Sequence, residues 1–157
     1  QSIVDALVPA SLADYGDRLL SVAVFGSVAR GTMRPDSDVD LLLVVEHLPD
    51  GRMPRVREFK AMEQRLAGLL AEAARHGVHT TVSPIFKTPR ELEYGRPLFL
   101  DMTDEVLILY DSADTLQDYR DRIGARLQAL GARRIPKGGG YYRLLKPDLK
   151  PCENVTL

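Results

Sequence analysis

Apolar residues along the chain fall into short unbroken runs and longer stripes at helical spacing, and the two kinds alternate. Ile3, Ala6, Leu7 and Ala10 recur at helical spacing over residues 2–14, with Pro9 limiting how regular that helix can be. Leu19–Phe25 is nearly continuous apolar sequence ending at Gly26 and reads as a buried strand. Residues 27–30 would open a helix that Gly31 and Pro35 close early. A second strand is expected at 38–45, apolar on both faces after its first three residues, as in a strand at the middle of a sheet with helices packed over it. The strongest helix signal begins at Pro54. Val56, Phe59, Met62, Leu66, Leu69, Leu70 and Ala73 share one stripe, and Gly77 follows its end. Further strands are expected at 78–86 and 105–110, with at most a short helix at 89–94 between them. A last helix over 114–130 puts Leu116, Tyr119, Ile123, Leu127 and Leu130 on one face and stops at Gly131.

This alternation predicts an α+β domain, a mixed β-sheet with helices packed on it. A length of 157 residues is enough for one well-buried core and too short for two. The domain is expected over residues 1–130, followed by a basic tail at 131–157 that folds back on it as a hairpin. Gly138, Gly139 and Gly140 supply a turn or flexible joint there, and 141–145 a strand. That tail holds six basic and two acidic residues, a net +4, leaving −5 for the remainder of a chain whose total is −1. Near-balance argues against a general nucleic-acid coat, and the tail is expected to be a solvated surface before it is a nucleic-acid grip. With 45% apolar and 27% charged residues, the composition is that of a globular domain. Apolar runs such as 41–45 end too soon to cross a membrane, and residues 1–7 lack the basic and apolar segments of a signal peptide. A single cysteine, Cys152, excludes an internal disulfide and suits a reducing compartment, so the expected location is cytoplasmic.

Chemistry concentrates in residues 24–45, VFGSVARGTMRPDSDVDLLLVV. A buried strand runs straight into Gly26-Ser27, where the absent Cβ lets backbone approach a ligand and unpaired N–H groups make an anion site. After ten intervening residues, Asp38 and Asp40 stand two apart, on one face of the next strand with Cα atoms roughly 6.5–7 Å apart. Neighbouring carboxylates repel unless a cation lies between them, and a hard oxygen site with room for water and phosphate oxygens suits Mg²⁺. A phosphate cradle beside such a pair is the equipment of phosphoryl or nucleotidyl transfer. A plain strand-to-helix turn would explain Gly26-Ser27 taken alone. It would leave unexplained an Asp wedged between Val39 and an apolar run.

Gly26-Ser27, the ten-residue interval and Asp38-Val39-Asp40 together resemble the signature of the DNA-polymerase-β-like nucleotidyltransferase superfamily, and GSVARG…SDVDLLLV is similar to its minimal single-domain members. The resemblance implies that Gly26 and Ser27 hold a nucleoside triphosphate, most often ATP, with Arg30 and Ser37 as further phosphate contacts. It implies that Asp38 and Asp40 are catalytic and ligate magnesium, two ions with nucleotide bound. The reaction would move a nucleoside monophosphate to an acceptor hydroxyl and release pyrophosphate. The superfamily also carries a third acid on a neighbouring strand, yet 78–86 reads VHTTVSPIF and holds none. His79, Glu72, Glu91 and Asp101 remain open as substitutes.

A second reading follows from that gap: a catalytically silent module that keeps the fold and acts as antitoxin or regulatory partner of a small helical protein. With no larger acceptor-binding domain in the chain, a homodimer or a separate protein partner is expected to complete the site. His47, His76 and His79 have no metal-ligand spacing with one another or with Cys152.

Overall fold

In the computed structural model of the chain, which describes residues 2–94, 105–138 and 140–148, the two most apolar runs lie side by side at the centre of a four-stranded sheet. Along the chain come helix α1 (Ile3–Tyr15), a single 3-10 turn, strands β1 (Leu19–Phe25) and β2 (Val39–Val45), and the long helix α2 (Arg52–Arg75). Strand β3 (Val82–Lys87), the short helix α3 (Pro89–Glu93), strand β4 (Val106–Asp111) and helix α4 (Thr115–Ala129) follow. A hairpin of β5 (Arg133–Lys137) and β6 (Gly140–Leu144) ends the described chain. The strand order is β3-β2-β1-β4, with β1 antiparallel to both neighbours and β2 parallel to β3. The α+β architecture with a mixed sheet is therefore the observed one.

Period-two alternation along β2 sorts its residues into two cores. Val39, Leu41, Leu43 and Val45 join Phe59, Met62 and Leu66 of α2 and Leu7 of α1 on one side. Leu42 and Val44 join Leu116, Tyr119, Ile123 and Leu127 of α4 on the other. Burial on both faces explains why the strand is apolar from Leu41 to Val45.

Local signals explain most element ends. Ser2 and Asp5 form a reciprocal capping box at the start of α1, and Thr88 and Glu91 do the same for α3. Helix α1 runs straight through Pro9, because its buried residues Leu7, Ala10 and Ser11 anchor both turns around the proline. The first N–H groups of α4, those of Leu116 and Gln117, are satisfied by Asp111, whose carboxylate also accepts from the buried Ser21 hydroxyl at 2.6 Å. That one side chain pins α4 to the central strand.

Three expectations need correction. Residues 27–30 form turns and no helix. Strand β3 begins at Val82, not at residue 78, because the preceding residues hydrogen-bond to the loop before β2: His79 N–H donates to the Pro35 carbonyl, and the Thr80 hydroxyl to that of Ser37. Residues 133–137, RRIPK, form a strand that their exposed, charged sequence did not reveal. The acid candidate Asp101, and Cys152 in the last part of the tail, lie outside the described residues. Among the described residues, no helix is long and apolar enough to cross a membrane.

Phe59 is fully buried and meets the Phe86 ring edge-on, with centroids 5.6 Å apart and planes at 70°. Phe59→Ala is expected to cost about 3–5 kcal/mol of unfolding free energy, read from the shift of a urea denaturation curve.

Candidate functional site

Both aspartates fall at even positions, on the face of β2 that carries Leu42 and Val44 and away from α1 and α2. Asp38 stands one residue before β2 and is exposed, while Asp40 is its second residue and half-buried. Asp40 sits opposite Phe25, the last residue of β1, and opposite Ser83 of β3. Gly26 follows Phe25 immediately, and here glycine is required twice over. Its φ is +67°, and a Cβ built on it would lie 2.6 Å from Asp40 Oδ2. The backbone after β1 thus rests directly on the carboxylate.

Burial, and then the nearby charge of Asp38, push the Asp40 pKa above its ordinary value, with Arg30 opposing both. The ionised form of Asp40 is therefore only partly offset by Arg30 in this arrangement. Asp38 accepts a 2.7 Å hydrogen bond from the Thr81 hydroxyl, which fixes one of its oxygens. Two carboxylates that repel across a short gap, with no third His, Cys, Asp or Glu joining them among the described residues, fit a hard divalent cation such as Mg²⁺ that takes its remaining ligands from water and phosphate.

Residues 26–31 make a turn in place of the expected helix start. Arg30 N–H donates to the Gly26 carbonyl, Gly31 N–H to Val28 and Thr32 N–H to Ser27. The N–H groups of Ser27, Val28 and Ala29 have no backbone acceptor among the described residues. Successive N–H groups without a backbone partner in a tight turn are the kind of arrangement that can receive an anion.

The other residues singled out from sequence separate. Arg30 is tied to Glu105, Nη1 to Oε2 at 2.7 Å. Ser37 accepts from Arg34 N–H through its hydroxyl oxygen, and its carbonyl accepts from the Thr80 hydroxyl, so it shapes the loop ahead of Asp38. His79 is exposed, and Glu72 is engaged with Arg75 and His76. Glu91 is held by both terminal nitrogens of Arg55 at 2.8 Å, which keeps its carboxyl down at about 2. The pair lines a cavity of about 660 Å³ between α2 and the latter half of β3, away from Asp38 and Asp40. Where a third acid would stand beside the pair, β3 and the residues leading into it offer the hydroxyls of Thr81 and Ser83. Sequence reasoning scanned this stretch for acids and passed over its hydroxyls.

Residues 11–98 match the family model described as the nucleotidyltransferase domain. A Methanocaldococcus jannaschii protein, named as a candidate protein adenylyltransferase, is 32% identical over 124 residues, covering 78% of this chain and 79% of that protein. Two solved structures share the fold. One is a toxin–antitoxin complex crystallised with AMP-PNP, at 16% identity and TM-score 0.50 over 80% of this chain and 87% of that one. The other is an MntA–HpeT toxin–antitoxin complex carrying two Asp-to-Glu substitutions two positions apart, at 14% identity and TM-score 0.51 over 80% and 87%. The chain belongs to the nucleotidyltransferase domain family and is an enzyme of that class.

Two outcomes test this geometry without any substrate. Because the folded-state pKa of Asp40 is raised, its contribution to stability is lost as pH rises through that value. Asp40→Asn is therefore expected to raise the melting temperature of the metal-free protein at pH 7 and to leave it nearly unchanged at low pH. Gly26→Ala is expected to cost about 1–2 kcal/mol through its left-handed φ and to turn the Asp40 carboxylate aside. Thermal melts would register that as a lower melting temperature.

Proposed function

We propose that this enzyme is a Mg²⁺-dependent adenylyltransferase that moves AMP from ATP to a hydroxyl of a protein acceptor and releases pyrophosphate. The observation that carries the reading is the contact between Gly26 and Asp40. The reading is supported by the meeting of a turn with free backbone donors and a carboxylate whose charge burial and Asp38 oppose. The name of the M. jannaschii relative supports ATP as donor and a protein as acceptor, and the AMP-PNP of the first structural neighbour is consistent with an adenine nucleotide.

In this mechanism the N–H groups of Ser27, Val28 and Ala29, with the Ser27 hydroxyl and Arg30, receive the triphosphate. Asp38 and Asp40 hold the magnesium, two ions once nucleotide is bound. Bound there, magnesium supplies neutralisation of the charge that grows on the α-phosphate and on the departing pyrophosphate. The acceptor oxygen bonds the α-phosphorus while the bond to the bridging oxygen breaks; pyrophosphate leaves with that electron pair, and the acceptor's proton passes to water. Thr81 keeps Asp38 oriented through its hydroxyl. Residues 1–130 are read as the catalytic domain, with the basic segment 131–157 as its appendage.

A second reading is favoured by one observation, the hydroxyls of Thr81 and Ser83 where a third acid would stand. In that reading the domain is silent and acts by contact as the antitoxin half of a pair with a small helical protein. Calorimetric titration of ATP, GTP, CTP and UTP with Mg²⁺ into the intact chain and into Asp38→Asn/Asp40→Asn separates the two. The active reading expects ATP binding that requires Mg²⁺ and is lost in the double variant, with transfer reduced roughly 100- to 1,000-fold by Asp40→Asn alone. Absence of binding by every nucleotide overturns it in favour of the silent module.

A further inference from the structure

Arg30 is not left to solvent before any nucleotide arrives. Its Nη1 donates to Glu105 Oε2 at 2.7 Å, while Arg134 Nη2 lies 3.4 Å from Oε1 of the same carboxylate. Glu105 is 75 residues from Arg30 in sequence, yet the sheet brings the two together. Phe25 pairs with Asp40 on one side and with Val106 on the other, so the residue before Val106 stands two strands across from the aspartates, beyond β1 and at the same end of the sheet. Arg30 reaches that end from the turn after β1, which its own N–H closes by donating to the Gly26 carbonyl. On the far side of Glu105, Arg134 of β5 stacks on the Tyr141 ring of β6 at 4.1 Å and donates to its hydroxyl at 2.9 Å. A continuous row therefore runs from the turn after β1, through Arg30, Glu105 and Arg134, to the hairpin.

The contact is made through one terminal nitrogen of Arg30. A guanidinium has five N–H donors in a rigid plane, so a carboxylate on one nitrogen orients the plane and leaves donors on its other edge for a second oxyanion. Glu105 has one oxygen turned to each arginine, and its side chain is only 20% exposed, which holds it in place more firmly than the arginines it serves.

Resting on the nucleotidyltransferase reading above, we infer that Glu105 is a positioning residue for the triphosphate: it holds Arg30 at the mouth of the Gly26–Asp40 cradle with the free edge of the guanidinium toward the phosphates, and through Arg134 it joins the β5–β6 hairpin to that mouth. The basic hairpin is thereby part of the nucleotide site's support and not a loose appendage.

The sign of one substitution discriminates this from a simple charge effect. Glu105→Gln removes a negative charge near a polyanion, which by field alone would tighten binding. Positioning predicts the reverse. Calorimetric titration of MgATP and of AMP is run on the intact chain, Glu105→Gln, Arg134→Gln, Arg30→Ala and Arg30→Ala/Glu105→Gln, with melting curves to verify folding. Glu105→Gln is expected to weaken MgATP about three- to fivefold, the scale of a partly exposed ion pair, and to leave AMP unchanged. Arg134→Gln should act in the same direction by a smaller factor, and Glu105→Gln should add nothing once Arg30 is gone. Tighter MgATP binding by Glu105→Gln, or an equal loss with and without Arg30, overturns the inference. An Arg134→Gln variant as tight as the intact chain removes the hairpin from it. If Arg30→Ala abolishes binding outright, the sign in Glu105→Gln decides alone. An intact chain that ignores MgATP brings down the functional reading as well, whereas good binding with the wrong sign brings down only the role of Glu105.

Discussion

The carboxylate of Asp40 lies against the backbone of Gly26, and much of the molecule can be understood as what is needed to hold that contact. A short acidic side chain can be placed this closely only if the strand that carries it cannot shift. Strand β2 meets that condition, flanked on both edges and covered on both faces. The turn after β1 is equally constrained, since β1 is itself paired on both sides and ends at Phe25, opposite Asp40. Two central strands thus bring the turn after β1 and a carboxylate to the same point.

That arrangement is electrostatically unfavourable on its own. Burial and the neighbouring charge of Asp38 both oppose ionisation of Asp40, and Arg30 only partly offsets them. Elsewhere several acids meet an arginine: Glu91 with Arg55, Asp14 with Arg65, Glu58 with Arg18. A carboxylate that burial and a like charge oppose is where a cation and its phosphate ligands would contribute most.

Much of this was legible in the sequence because it rests on local signals. The buried strands are apolar runs, α2 and α4 are stripes, and Gly26-Ser27 with Asp38 and Asp40 is a spacing that a two-residue period converts into a shared face. What escaped depends on contacts between distant segments. The late start of β3 follows from bonds to the loop at Pro35 and Ser37, which no pattern within 78–86 encodes. Strand β5 is polar because it is exposed, so alternation had nothing to mark. Glu105 carried no motif, and its place beside Arg30 exists only once β4 is paired to β1. The turn at 27–30 was misread because Ser followed by small residues is as good an opening for a tight loop as for a helix.

The sorting of β2 into odd residues for one core and even residues for the other has a consequence for how the gene can change. Inserting or deleting one codon inside this heptapeptide would exchange the two faces, burying carboxylates among leucines and turning leucines toward the ligand. A pair of codons would restore the faces but carry the aspartates about 7 Å along the sheet, away from Gly26. The loop between β2 and α2 is under neither restriction. Length variation should therefore accumulate on the far side of β2, while the stretch from Gly26 to Val45 evolves by substitution alone.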